Sequence, residues 1–286
     1  MQLDLFNQSD NVILENAVIS AFSSHDLKAA KTAITALRNK YPQQQRLNLY
    51  DILLVQLEDF AEARRNKQLA ECCQRINELI QPIGHSLYGG EHARRWAAPL
   101  WQQLAELAAA QPFDPSNAAY HAAPLWLAAG DDGMARTATE TIPSWRKIPL
   151  PLAWMTEIEL RAGHPEIYWP LLAELAWLAP QRLAHLLEHA PATVNGFFNR
   201  FSNDFENNSD EDDLTWFPAW LLICAPELRE FLRATPAGNT PPAQTFTHLR
   251  DLLQLEKAGQ QAGLIALRGK LRGLAPDIFT IYMRSR

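Results

Sequence analysis

His185, Glu188 and His189 are the residues of this sequence whose types and spacing could do hydrolytic chemistry. On one helix, two histidines four positions apart lie a turn apart on the same side, and each could give an imidazole nitrogen to zinc. Glu188 between them could polarise a metal-bound water as general base. A plainer reading competes with this one. Short leucine-rich helices produce such spacings by accident, and Pro191 follows two residues after His189, so the histidines cap the helix or lie on a solvated face. Glu256 is the best candidate for a third ligand, but nothing around it completes a metal set.

A second set of residues suits docking and not catalysis. In Gln2-Leu3-Asp4-Leu5-Phe6, the Leu-Phe pair can fill an apolar pocket, the Gln amide can make directional hydrogen bonds, and Asp4 can face solvent. The same side chains have a rival use, folding back onto the chain's own first helix as an apolar segment ahead of an N-cap. Asp10, just before Asn11-Val12-Ile13-Leu14, is the expected cap of that helix.

Two family resemblances rest on these residues. His185-Leu186-Leu187-Glu188-His189 resembles the H-x-x-E-H signature of the inverted zinc peptidases. That family's fold is mixed α/β with a glutamate ligand far downstream, and the surrounding sequence here departs from it by being helical. Gln2 to Phe6 resembles the peptide that bacterial DNA polymerases and repair factors insert into the sliding clamp. It matches at every position, stands directly behind Met1, and covers five of 286 residues. The resemblance implies the bacterial sliding clamp as partner, with Leu5 and Phe6 as anchors.

Charge and composition narrow the classes. Hydrophobic residues make up 47% and charged residues 20%, the mix of an ordered globular chain. The net charge of -6 gives no general attraction for phosphates, so no direct nucleic-acid binding is expected. Phe246 to Arg286 is locally basic, with seven Lys and Arg against three acidic residues, read as a solvated helix face. No apolar run approaches a membrane span and no secretory signal is visible, so a cytoplasmic protein without a membrane partner is expected. Cys72, Cys73 and Cys224 read as reduced, mostly buried thiols. There is no phosphate-cradling glycine loop, no Gly-x-Ser-x-Gly elbow and no Cys-x-x-Cys. No cofactor is implied.

The elements that position these residues are helices. Apolar residues recur at helical spacing nearly throughout, and Pro42, Pro82, Pro112, Pro115, Pro143, Pro180, Pro191 and Pro226 fall where helices would end. The clearest pair runs Val12 to Phe22, turns at Ser23-Ser24-His25-Asp26, and continues Leu27 to Lys40. A second runs Leu152 to Ala162, turns at Gly163-His164-Pro165, and continues Ile167 to Leu178. Ala30, Ile34, Leu37 and Pro42 resemble a tetratricopeptide repeat in its small, bulky, apolar and terminal-proline positions, while Tyr168 and Thr156 depart from that pattern. Gly130 to Ala135 keeps a third turn, and Gly89-Gly90 reads as a turn and helix start. Ala97-Ala98-Pro99-Leu100-Trp101 recurs at Ala122 to Trp126 as a conceivable duplication. Seven of the nine tryptophans fall between Trp96 and Trp177, either wedging helices together or lining a partner surface.

The resulting expectation is an all-α, irregular array of antiparallel helical hairpins. Residues 1–8 form a mobile N-terminal peptide, 9–202 the helical-repeat domain, 203–213 an acidic loop, and 214–286 a helical region continuous with the array. The expected function is a non-enzymatic scaffold for protein partners, tethered to the sliding clamp. The alternatives are an adaptor unrelated to the clamp, or a zinc-dependent hydrolase using His185, Glu188 and His189.

Overall fold

The apolar periodicity of the sequence becomes helix almost throughout the computed structural model. It describes residues 2–204 and 211–286, with side chains for 10–204 and 213–286. The fold is all-α, with no strand among the described residues. No helix among them is long and apolar enough to cross a membrane. The chain divides into two compact units, Met1–Ala138 and Thr139–Arg286, so residues 214–286 share a unit with 139–202.

In the first unit, α1 (Gln2–Ser23) pairs with α2 (Leu27–Lys40), which packs on α3 (Leu47–Arg65). Ala30, Ile34 and Leu37 form the buried stripe of α2, as their spacing predicts. Helix α1 starts earlier than Asp10, because nothing from Gln2 to Asn11 breaks a helix. Asp10 is therefore not its cap, and its carboxylate pairs with Lys40. Next come α4 (Leu69–Arg75), a π-helical turn over Ile76–Ile80, and α5 (Gln81–Tyr88) in one unbroken helical run. Pro82 is thus not a boundary. A proline lacks the N–H its helix needs and crowds the carbonyl four residues back. The wider π register, in which the Gln81 N–H reaches the Ile76 carbonyl, takes up that misfit just before it. Helix α6 (Gly90–Ala108) crosses α5 and packs on α7 (Ala122–Ala129), with α8 (Asp132–Glu140) following. The two Ala-Ala-Pro-Leu-Trp copies are not equivalent, one in mid-helix in α6 and one in the first turn of α7.

The second unit begins inside α8 and holds α9 (Pro149–Ala162), α10 (Pro165–Leu178), α11 (Pro180–Glu188) and α12 (Ala192–Asp204). After these come α13 (Phe217–Cys224), α14 (Arg229–Leu232), α15 (Pro241–Ala258), α16 (Gln261–Leu274) and α17 (Pro276–Arg284). Helix α13 is its centre. Residues Phe217 through Ile223 are all buried, and α10, α12, α15 and α17 pack around it, as a helix apolar on every side requires. Three chain reversals share one sequence, a leucine four residues before an Ala-Pro pair: Ala179-Pro180, Ala225-Pro226 and Ala275-Pro276. Each alanine leaves helical geometry and is buried, its N–H still bonded to the leucine carbonyl. The proline at the next position bars α geometry at the alanine and opens the following helix.

Five helices end in the same way. After α1, α3, α7, α9 and α15 the chain takes one left-handed residue, respectively His25, Lys67, Gly130, Gly163 and Gly259. The N–H of the residue after it bonds a carbonyl five positions back, as Asp26 does to Ala21 at 3.0 Å and Gln68 to Ala63 at 2.9 Å. This is the Schellman closure of a helix C-terminus. The next helix starts at once in all five.

Candidate functional site

Residues Gln2, Leu3, Asp4, Leu5 and Phe6 lie, as side chains, outside the described residues, although the backbone of α1 spans them. The acidic segment 203–213 falls largely outside them as well.

His185, Glu188 and His189 come together at the end of α11. His185 Nδ1 is 3.4 Å from Glu188 Oε2, and the two imidazoles meet edge to face at 5.8 Å. His189 stands one residue past the helix. The site is open to water, with the side chains of His185 and Glu188 79% and 64% exposed. Glu256 does not join them. Its carboxylate accepts from the Tyr282 hydroxyl and from Arg268 at 3.1 Å, and pairs with Arg286 at 2.8 Å. Among the described residues no three His, Cys, Asp or Glu side chains are grouped to hold a metal.

The aromatic band is core. Trp96, Trp101, Trp126, Trp154 and Trp169 are buried, and Trp145 and Trp177 are half-buried. Cys72 and Cys73 are free and buried, and burial pushes the Cys73 thiol up to about 12, which makes it inert as a nucleophile.

Trp96 organises the first unit. Its Nε1–H donates to the Phe22 carbonyl at 2.8 Å, and its own carbonyl accepts from His25 Nε2 at 2.9 Å. The His25 ring stacks on the indole with centroids 5.4 Å apart, 8° from parallel, and Tyr88 leans on it at 5.3 Å. Burial lowers the His25 pKa, partly offset by the bond to Trp96. Gly84 is what lets the indole in, since a Cβ there would stand 2.6 Å from the ring. This close approach clamps α5 onto the start of α6.

Beside the clamp lies a cleft of about 270 Å³ lined by Asn77, Gln81, Pro82, His85, Gly90, Ala93 and Arg94. The π-helical turn and α5 present Asn77, Gln81 and His85 at intervals of four residues along one side. Helix α6 presents Arg94 and its first turn. Gly89, at φ +78° and ψ 166°, makes a corner that only glycine enters readily, and α6 starts directly after it with Gly90 in the cleft lining. The His85 ring lies against that turn, its Cε1 3.4 Å from where a Gly90 Cβ would be. Neighbouring arginines are engaged: Arg95 pairs with Glu91, and Arg75 with Asp59 and Glu71. The side chains of Asn77, Gln81, His85 and Arg94 make no such bond among the described residues. The lining holds a guanidinium, an imidazole and two carboxamides, but no carboxylate.

Of this cleft, sequence reasoning found only the Gly89-Gly90 turn. The four polar residues are spread over three elements, and their one local signal is the spacing of 77, 81 and 85.

No family profile, curated protein or solved structure matches this chain.

Proposed function

We propose that this chain is a non-enzymatic, cytoplasmic protein-interaction scaffold that Gln2–Phe6 tethers to the bacterial DNA sliding clamp. The observation that carries the reading is the agreement of Gln2-Leu3-Asp4-Leu5-Phe6 with the clamp-binding pattern at all five positions. Leu5 and Phe6 are the anchors, Gln2 and Leu3 fix register, and Asp4 faces water. The body is a degenerate, tetratricopeptide-like array of hairpins. Support for it comes from the five identical helix closures and from the buried Ala30, Ile34 and Leu37 stripe. Such an array offers broad helix faces to a second partner, and tethering raises the effective concentration of that second contact.

The test is binding of a peptide of residues 1–10 to a purified bacterial sliding clamp, followed by the full chain with Leu5→Ala and Phe6→Ala together. Saturable, roughly micromolar binding is expected for a short peptide with two anchors. The double substitution should abolish it while leaving helicity and melting unchanged. Absence of binding by both peptide and full chain would remove the clamp from the reading and leave an adaptor of other partners.

A further inference from the structure

We propose that the cleft between the π-helical turn and α6 is a binding site for a small phosphate-bearing anion. This site is independent of the N-terminal peptide and of the clamp.

The argument rests on what lines the cleft and on what is missing from it. Arg94 is a permanent cation, and a guanidinium offers paired donors matched to an oxyanion. It has no carboxylate partner, although the adjacent Arg95 has Glu91. Across from it, Asn77 and Gln81 provide carboxamides that can both donate and accept, which suits a phosphate and the hydroxyls of a group attached to it. The α6 first turn adds free N–H groups and the positive end of a 19-residue helix. His85, against that turn, supplies a further donor. None of the seven lining residues is acidic, and the one carboxylate of the α6 first turn, Glu91, is paired with Arg95.

Size sets the ligand class. At about 270 Å³ the cleft lies just below the usual range of roughly 300–1,000 Å³ for small-molecule sites. It holds inorganic phosphate or a phosphate on a short polyol, and not a dinucleotide. The π register also belongs to the site. Single π turns occur frequently at functional positions, and Asn77 of the cleft lining lies within this one.

The experiment is amide-resolved NMR titration of the full chain at low ionic strength with inorganic phosphate and, separately, ribose 5-phosphate, with sodium chloride as control. The expected result is saturable shifts concentrated at Asn77 to His85 and Gly90 to Arg94. Tighter binding of the ester would identify a phosphate ester as the ligand, and equal binding would identify free phosphate. Arg94→Gln, an exposed change that leaves the fold intact by circular dichroism, should weaken either by about tenfold or more, as loss of a charge-assisted bond does. His85→Gln should weaken it less. The proposal is overturned if shifts are absent or unsaturable, if they gather at the basic residues Lys270, Arg272 and Arg284, or if Arg94→Gln binds as the parent does.

Discussion

The two compact units solve the burial problem differently. The second wraps its helices around α13, whose residues Phe217 to Ile223 are wholly buried, and reverses its chain at buried Ala-Pro corners. The first has no such central helix. It buries apolar stripes of α2, α3, α6 and α7 and ties the α1–α2 turn to α5 and α6 through Trp96, where an indole N–H, a histidine and a glycine close approach must all fit at once. A core built on an apolar helix tolerates local adjustment because burial has no direction. A core built on a geometric lock does not, since hydrogen bonds and close approaches are directional. The open polar cleft lies beside the lock.

The largest test of this contrast is steric. Gly84→Ala puts a methyl 2.6 Å from the Trp96 ring and should cost about 1–3 kcal/mol, the usual range for overpacking. Gly273→Ala, in α16 of the second unit, meets nothing within 4 Å and should stabilise by about 0.5–1 kcal/mol through helix propensity. Chemical denaturation of both variants checks the pair, and equal effects would break the contrast.

A smaller test uses the two Schellman closures whose left-handed residue is not glycine. Lys67 is exposed at φ 58° and its side chain makes no contact of note, so Lys67→Gly should stabilise by about 1 kcal/mol as backbone strain is relieved. His25→Gly relieves the same strain at φ 54° but removes the ring stacked on Trp96 and its bond. It should therefore destabilise, which differential scanning calorimetry would report as opposite shifts in Tm.

The smallest effect is acidification. Burial lowers the pKa of His25 and of His121 in the first unit. His121 is neutral at Nδ1, because that nitrogen accepts the Ala123 N–H at 3.2 Å and caps α7. The unfolded chain takes up protons near the ordinary histidine value of 6.5, whereas the folded chain resists until lower pH. These two histidines thus give their full stability above 6.5, lose it as the pH falls through that value, and change no further below their folded pKa values. Hydrogen exchange of α6 and α7 at pH 7.5 and 5.5 should show protection falling on acidification, and His25→Asn should remove part of that dependence.

Much of the helical layout was legible in the sequence because its signals are local. The turn at Ser23 to Asp26 and the α2 span Leu27–Lys40 fall where apolar spacing and a short polar turn put them, and the structure adds Asp26 as the cap, accepting the Ala29 N–H at 2.9 Å. Gly130 and Gly163 marked turns for the same reason. Lys67 marked nothing, since a lysine carries no preference for the conformation it was forced into by the packing of α3 on α4. Pro82 misled, because a π turn can absorb a proline without ending the helix. The histidine pair at 185 and 189 was equally visible as spacing. What spacing could not show is that Glu256 is already bonded to Tyr282, Arg268 and Arg286.

By itself, then, the sequence determined that this protein is helical and where several of its hairpins turn. These follow from residue order within one or two helical turns. The tertiary structure alone decided that the tryptophans of 96–177 are mainly core, that Gly84 is a contact for Trp96 and not a flexible point, and that Asn77, Gln81, His85 and Arg94 share one cleft. The reason is physical: burial, close approach and the meeting of charges depend on distances between separate helices, and no local pattern along the chain encodes them.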